Sequence, residues 1–385
     1  MSLFSLASCL MALAGSLTAC QPAEPQATVS GQSATPPDTA IFFTIASVGD
    51  LMCHSTQFNY ARIEGDSFDF DPAYAYVRDY LTEADLLLGN LETTLAGPGK
   101  PYSGYPQFNT PDAYATALRN AGFDCIVTAN NHSNDTGEEG ILRTIDVLDS
   151  LGLPHTGTYS SEQDRDSVRI LEVQGVRIGI IAYSYSTNGL PLTEGKPWLV
   201  NLCDTALIAR DMQRGRQLGA ELMIVFYHFG DEYQRLPNTY QKGLVQFAIE
   251  RGADIVLGSH PHVLQPTAFY PGKGSTVDSV FVAWSMGNFI SNQQDEYTDE
   301  GVIVRLRMMK DLRTGKINVV GTDHIPTWVY KGKLPDRKQH TVFPVIDTTF
   351  SNIPAFILDS YRSELDKALR HSTDILYRPV PLTEN

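Results

Sequence analysis

Acid, amide and imidazole side chains of the kinds that hold divalent cations recur along this chain: Asp50, Glu92, Asn131, His228, His260 and His262, with His132 beside them. Two dications a few ångströms apart need a bridging carboxylate together with imidazole and oxygen ligands. Mixed N and O donors suit Zn, Mn, Fe or Co better than Ca or Mg. The cysteines form no CxxC pair, which argues against a soft thiolate site. His260 and His262 flank Pro261. A strand-like two-residue spacing turns both imidazoles to one side, and proline stiffens their relation. Taken singly, the residues have plainer readings. Asp50 after Gly49 suits a turn, Glu92 a loop cap, Asn131 a helix start, and His228 a satisfied core histidine. Their conjunction points to one metal-binding cleft, with a divalent transition metal (Mn, Zn or Fe; one or two ions) as cofactor.

What must position them is a series of apolar runs, and each of these residues falls just beyond the end of one. Residues 41–48 are β-rich and stop at Gly49-Asp50; residues 85–88 stop before Asn90 and Glu92; residues 124–129 stop before Asn131-His132. Residues 221–227 run into His228, 254–257 lead to His260 and His262, and 277–284 lead to Asn288. Strand ends on one side of an α/β sheet share an edge, where ligand sites lie. Helices are expected over 72–83, with Pro72 in the first turn, and over 111–121, 138–150, 205–218 and 239–251. Residues 168–173 and 176–182 flank Gln174-Gly175 as a hairpin, and 302–309 pair with 316–322. Strand and helix alternate early, while later strands run consecutively. That pattern implies mixed sheets with helices outside rather than a doubly wound sheet. No repeat or linker interrupts 41–350, read as one domain; 351–385 read as a C-terminal helix and tail.

The chain has 385 residues, enough for one large α/β domain. A net charge of −15 excludes nucleic acid as a partner by bulk electrostatics. It also opposes long-range attraction of a polyanion, unless a metal reverses the sign locally. Residues 3–17 are mostly apolar or small, and Leu17-Thr18-Ala19-Cys20 has the shape of a bacterial lipobox. Residues 1–20 therefore read as a lipoprotein signal peptide, although no Lys or Arg precedes the apolar run. Residues 21–40, rich in proline and small polar residues, read as a flexible tether. The expected location is extracytoplasmic, with the membrane as a partner through a lipid on Cys20. Cys53, Cys125 and Cys203 would remain after processing, with no disulfide framework indicated.

The ordered motifs GD-L-M (49–52), GNLE (89–92), A-NNH-x-x-D (129–135), H-x-G-x-E-Y (228–233), GSHPHV (258–263) and S-M-GNF (285–289) resemble the CapA-like family of poly-γ-glutamate capsule proteins. The resemblance implies a layered α-β-β-α sandwich of two mixed sheets, of the calcineurin-like metallophosphoesterase type. By that likeness Asp50 and His262 are first-metal ligands, Glu92 bridges, and Asn131, His228 and His260 hold the second metal. His132 resembles the proton donor to a leaving group, and Asn90 and Asn288 line the cleft. Tyr233, Arg235 and Gln241 follow His228 as candidate substrate contacts, and residues 100–105 as a rim. Phosphoesterases of this architecture often carry a His where this chain has Met52, which leaves the first metal short of a ligand; His54 lies nearby. The implied role is metal-dependent hydrolase-type chemistry in making, attaching or processing an anionic polymer such as poly-γ-glutamate or another cell-envelope polymer, with membrane synthase subunits as possible partners. Two other readings compete: an exported phosphoesterase for small phosphate esters, and a non-catalytic scaffold that binds polymer or synthase subunits.

Overall fold

A computed structural model of the protein describes residues 39–335 and 337–382. The expected signal peptide, Cys20 and nearly all of the tether lie outside the described residues. The strands in chain order are β1 (Ala40–Leu51), β2 (Leu86–Leu91), β3 (Cys125–Val127), β4 (His155–Thr156), β5 (Arg169–Val173), β6 (Val176–Ser184) and β7 (Leu222–His228). They continue with β8 (Ile255–Ser259), β9 (Thr267–Pro271), β10 (Ser279–Ala283), β11 (Asn288–Ile290), β12 (Glu300–Asp311), β13 (Ile317–Lys333) and β14 (Lys338–Pro344). One eight-stranded sheet runs β14-β13-β12-β1-β2-β3-β4, with β11 pairing β1; a six-stranded sheet runs β5-β6-β7-β8-β10-β9. Both are mixed: β1 to β4 pair in parallel, as do β6, β7, β8 and β10, while their flanks pair antiparallel.

Two-residue alternation builds the layers. Ile45, Leu86, Leu88 and Val127 face the core shared with the second sheet, whereas Ala46, Leu87 and Ile126 face a separate outer core. The central strands Leu86–Leu91 and Leu222–His228 are buried along their whole length, as parallel strands covered on both faces must be. The helices are α1 (Ser55–Ala61), α2 (Arg78–Thr82), α3 (Ala113–Ala121), α4 (Gly137–Ser150), α5 (Glu162–Arg165), α6 (Thr205–Gln217), α7 (Thr239–Glu250) and α8 (Ala355–Leu376). Tyr114 and Leu118 of α3 close the outer core, and Ile208 of α6 with Leu244 of α7 cover the second sheet. The result is the layered α-β-β-α sandwich of two mixed sheets.

Several expectations need correction. The helix expected over 72–83 is a 3₁₀ turn at Asp71–Tyr74 followed by the short α2. Tyr74, Val77 and Leu81 are all buried, and the three-residue step from 74 to 77 is met by the tighter turn. The hairpin expected to stop near 322 continues through β13, past Pro326, and adds β14. Within the stretch expected as helix and tail, helix α8 runs to Leu376, with a break at Tyr361. Its Ile357, Leu365 and Ala368 pack on Trp328, Tyr330 and Phe343 and form a third apolar cluster against β13 and β14.

Two glycines allow the crowding at the site. A Cβ on Gly49 would lie 2.0 Å from Gly287 O, and one on Gly258 would lie 2.1 Å from Trp284 O. Bare backbone at these points lets β1 meet the turn before β11, where Asp50 N donates to Gly287 O at 2.9 Å.

Candidate metal centre

Asp50 and Asn90 occupy the last residues of β1 and β2 rather than loops beyond them, and face each other in parallel register. His228 ends β7. Asn131 and His132 follow β3 in the turn before α4. His260 and His262 are not strand residues: both have left-handed backbone, with φ of 99° and 58°. Their side chains meet the cluster because the loop after β8 coils, not because a pleat alternates, which corrects the basis of that expectation. Two left-handed non-glycine positions on either side of Pro261 store strain of the kind found at functional sites.

The donors converge. Asp50, Glu92 and His262 place donor atoms within 4.8 Å of one another, as do Glu92, His228 and His260. Glu92 is common to both groups, the place of a bridging carboxylate. Asn131 Oδ1 lies 2.7 Å from His228 Nε2, which puts it with the second group. Asn90 Nδ2 donates to Asp50 Oδ1 at 2.9 Å, and His262 Nδ1 sits 3.2 Å from Asp50 Oδ2 and 3.0 Å from Asn288 Oδ1. Asn90 and Asn288 thus orient the acid and the imidazole and are fully buried.

Charge explains the environment. Burial would raise the Asp50 carboxyl, but the contact with His262 outweighs it and holds Asp50 below the usual carboxylate range. His262 rises correspondingly: burial opposes this, and Asp50 wins. Burial, and then the Asp50 charge, push Glu92 well above its ordinary value. Burial followed by the neighbouring imidazoles lowers His228 far below its usual value and brings His260 down to about 3. Neutral imidazole is the metal-binding form.

The fit to a cation rests on orphaned atoms. Both carboxylate oxygens of Glu92 and Nδ1 of His260 are buried without a hydrogen-bond partner. These three atoms belong to one cluster whose other donors are acid and imidazole, an arrangement suited to a bound cation. The residues present fit a divalent ion.

A cleft of about 270 Å³ opens over the cluster, lined by Asn131, His132, Asp135, Asn188 and Glu232, with Tyr105 at its rim. His132 Nδ1 lies 2.7 Å from Asp135 Oδ2, which also accepts from Phe108 N at 2.7 Å. That contact commits Nδ1 and leaves Nε2 for the cleft. Tyr233 is exposed, with its ring 6.3 Å from that of His262. Arg235 is not with the cluster: its guanidinium covers the Tyr297 ring at 4.1 Å and donates to His371 O. Gln241 is buried in the capping box of α7 and donates to Gln265, a structural role instead of a substrate contact. Lys100 is tied to Thr136 O, so of the expected rim it is Tyr105 that reaches the cleft. Met52 is buried, and His54 turns toward Ser291 and Phe108, outside the donor groups.

Two residues were missed. Glu232 lines the cleft and forms a third donor group with His260 and His262. Asp135 holds His132. The signal was present in both cases: the acid inside H-x-G-x-E-Y, and the three-residue step from His132 to Asp135 in one turn.

The two mixed sheets thus bring a buried cluster of carboxylates and imidazoles together at their strand ends. The model of the bacterial capsule synthesis protein family PGA_cap matches residues 44–293, well over half of the chain, and the chain belongs to that family. It is 27% identical over 287 residues to the capsule biosynthesis protein CapA of Bacillus anthracis, covering 72% of this chain and 66% of that protein. It is 26% identical over 303 residues to the PGA biosynthesis protein CapA of Bacillus subtilis (strain 168), covering 77% and 75%. Among solved structures it is similar to the calcineurin-like phosphoesterase YfkN of Bacillus subtilis, at 13% identity and TM-score 0.44, covering 87% of this chain and 99% of that one.

Proposed function

We propose that this protein is a metal-dependent hydrolase-type component of capsule polymer biosynthesis, tethered at the cell envelope through Cys20, with an anionic polymer such as poly-γ-glutamate as substrate. The observation that carries the reading is the set of orphaned donors on Glu92 and His260 inside the carboxylate-imidazole cluster. The printed names of the two CapA relatives support the polymer class. Asp50, Glu92 and His262 would hold one ion; Glu92, Asn131, His228 and His260 would hold the other. Bound there, a divalent transition metal supplies Lewis-acid polarisation and lowers the pKa of a coordinated water.

The chain's own residues do the rest. Asn90 and Asn288 hold Asp50 and His262 in place. Asp135 orients His132, whose Nε2 is positioned to deliver a proton to a leaving amine or alkoxide. Among the described residues no Lys or Arg lines the cleft. An anionic substrate would therefore gain its attraction from a bound ion.

The test is a metal analysis followed by turnover. Purified protein should carry a transition metal, and a His228→Ala, His260→Ala double variant should lose most of it. Release of γ-glutamyl fragments from polymer identifies the proposed enzyme. Preferential turnover of small phosphate esters identifies a phosphoesterase instead. Polymer binding with no turnover identifies a scaffold. Stoichiometric metal in the double variant overturns the ligand assignment.

A further inference from the structure

Arg235 leads away from the cluster to a second cavity, of about 510 Å³, between the segment before β12 and the face of α8. Its acidic wall is Asp295, Glu296, Asp299 and Glu300; the α8 wall presents Lys367, Arg370 and His371 and also one carboxylate, Glu364. The floor is Glu300, only 3% exposed. Glu300 Oε1 lies 2.6 Å from His371 Nδ1, but Oε2 is buried with no hydrogen-bond partner. Burial raises the Glu300 carboxyl to about 9, and burial lowers His371, so the short contact is a carboxyl O–H donating to a neutral imidazole. Oε2 is then an acceptor without a donor, which a buried oxygen seldom remains. Asp299 is fixed by Trp328 Nε1 at 2.8 Å. Tyr297, covered by Arg235, closes the side next to His371, with ring centroids 4.5 Å apart.

The charges across the cavity are not spent on each other. Lys367 and Arg370 on one wall, and Asp295 and Glu296 on the other, enter no ion pair among the described residues. A ligand that meets both walls needs N–H donors and positive charge at one end and a carboxylate at the other. We infer that this cavity binds a zwitterionic α-amino acid, its ammonium donating to Glu300 Oε2 among the acidic residues and its carboxylate facing Lys367 and Arg370. The volume fits, since small-molecule sites run from about 300 to 1,000 Å³. The site is separate from the metal cluster but joined to it by structure. Thr298 O and Gln293 Oε1 of the same segment accept from Asn288 Nδ2, and Asn288 Oδ1 meets His262.

The test is calorimetric titration of the full chain with glycine and with L-glutamine, against methylammonium, acetate and calcium chloride as single-charge probes. Both amino acids should bind, and Glu300→Met, which removes the Oε2 acceptor, should weaken them at least about tenfold, the loss typical of one charge-assisted contact. The exposed pair Lys367→Ala, Arg370→Ala should weaken them comparably without touching the floor, so a Glu300 variant that melts early does not decide the matter. The His228→Ala, His260→Ala variant should bind them as wild type does, which separates this site from the cluster. No heat from either amino acid overturns the inference. So does equal binding of methylammonium or calcium, or affinity unchanged in the Lys367, Arg370 variant.

Discussion

Replacing Glu92 by Gln should reverse the order of stability between metal-free and metal-loaded protein. In the metal-free fold Glu92 is fully buried, neither oxygen has a partner, and an Asp50 oxygen lies within 4.8 Å. A buried acceptor left unpaired costs about 1–3 kcal/mol, and more when charged. Gln keeps the shape, stays neutral beside Asp50 without binding a proton, and offers a carbonyl to His228 Nε2–H, which stands 3.5 Å from the Glu92 oxygen, together with an amide that can donate to Asp50. Metal-free Glu92→Gln is therefore expected to be about 1–2 kcal/mol more stable than wild type, a Tm about 2–4 °C higher for a domain of this size. Metal turns the sign. An ion present at about 100 times its Kd stabilises the native state by about 2.7 kcal/mol, roughly 5 °C here. Gln offers no bridging carboxylate and should lose most of that gain, so loaded wild type melts above loaded variant. The assay is differential scanning calorimetry after dialysis against chelator, then with manganese chloride at saturation. A metal-free variant that melts below wild type, or an equal manganese gain in both proteins, refutes the reasoning.

Met52→His should create a second tight metal site by calorimetric titration where wild type shows one, because a thioether is a poor ligand for a borderline dication; two equally tight sites in the unmodified protein rule this out. His132→Ala should lower kcat about 10²–10⁴-fold, the range for a lost general acid. Asp135→Asn should lower kcat by less, with KM little changed, and a pure KM effect removes the orienting role assigned to Asp135. Glu300 has a folded value raised from 4.5 to about 9, so its contribution to stability is complete below about pH 4.5 and is lost as pH rises through about 9. Wild-type Tm should fall more steeply over that window than that of Glu300→Gln, and parallel curves would show the assignment to be wrong. Cys20→Ser should leave the protein unprocessed or release it from the membrane fraction, and unchanged membrane fractionation contradicts the lipid anchor.

Local pattern made the central strands and most long helices readable. Leu86–Leu91 and Leu222–His228 are continuous apolar runs of strand length, and α6 and α7 open on Asp204 and Asn238, whose side chains accept from the third residue onward. The strands short of apolar pattern escaped: β4 has two residues, β11 three, and β14 reads Lys-Gln-His-Thr at its start. β11 and β14 pair because a long neighbour, β1 or β13, presents free backbone, and β4 because it extends the parallel set beside β3; no local period records either.

The residues of the carboxylate-imidazole cluster were legible because chemistry restricts their type and the strand ends restrict their place. Asp50, Glu92, Asn131, His228, His260 and His262 could therefore be named from the chain alone and are brought together in the fold. The second cavity could not be named. Glu300 and His371 are 71 residues apart, on a strand and a helix whose packing is set by Trp328, Tyr330 and Phe343 rather than by any motif. Nor could sequence assign Arg235, seven residues after His228: the left-handed backbone at Tyr233 turns the chain, and Arg235 reaches Tyr297 instead of the cluster. Residue type and strand-end position are properties of a local stretch of chain. The direction in which a loop side chain points depends on which distant surface packs beneath it, and only the tertiary structure decides that.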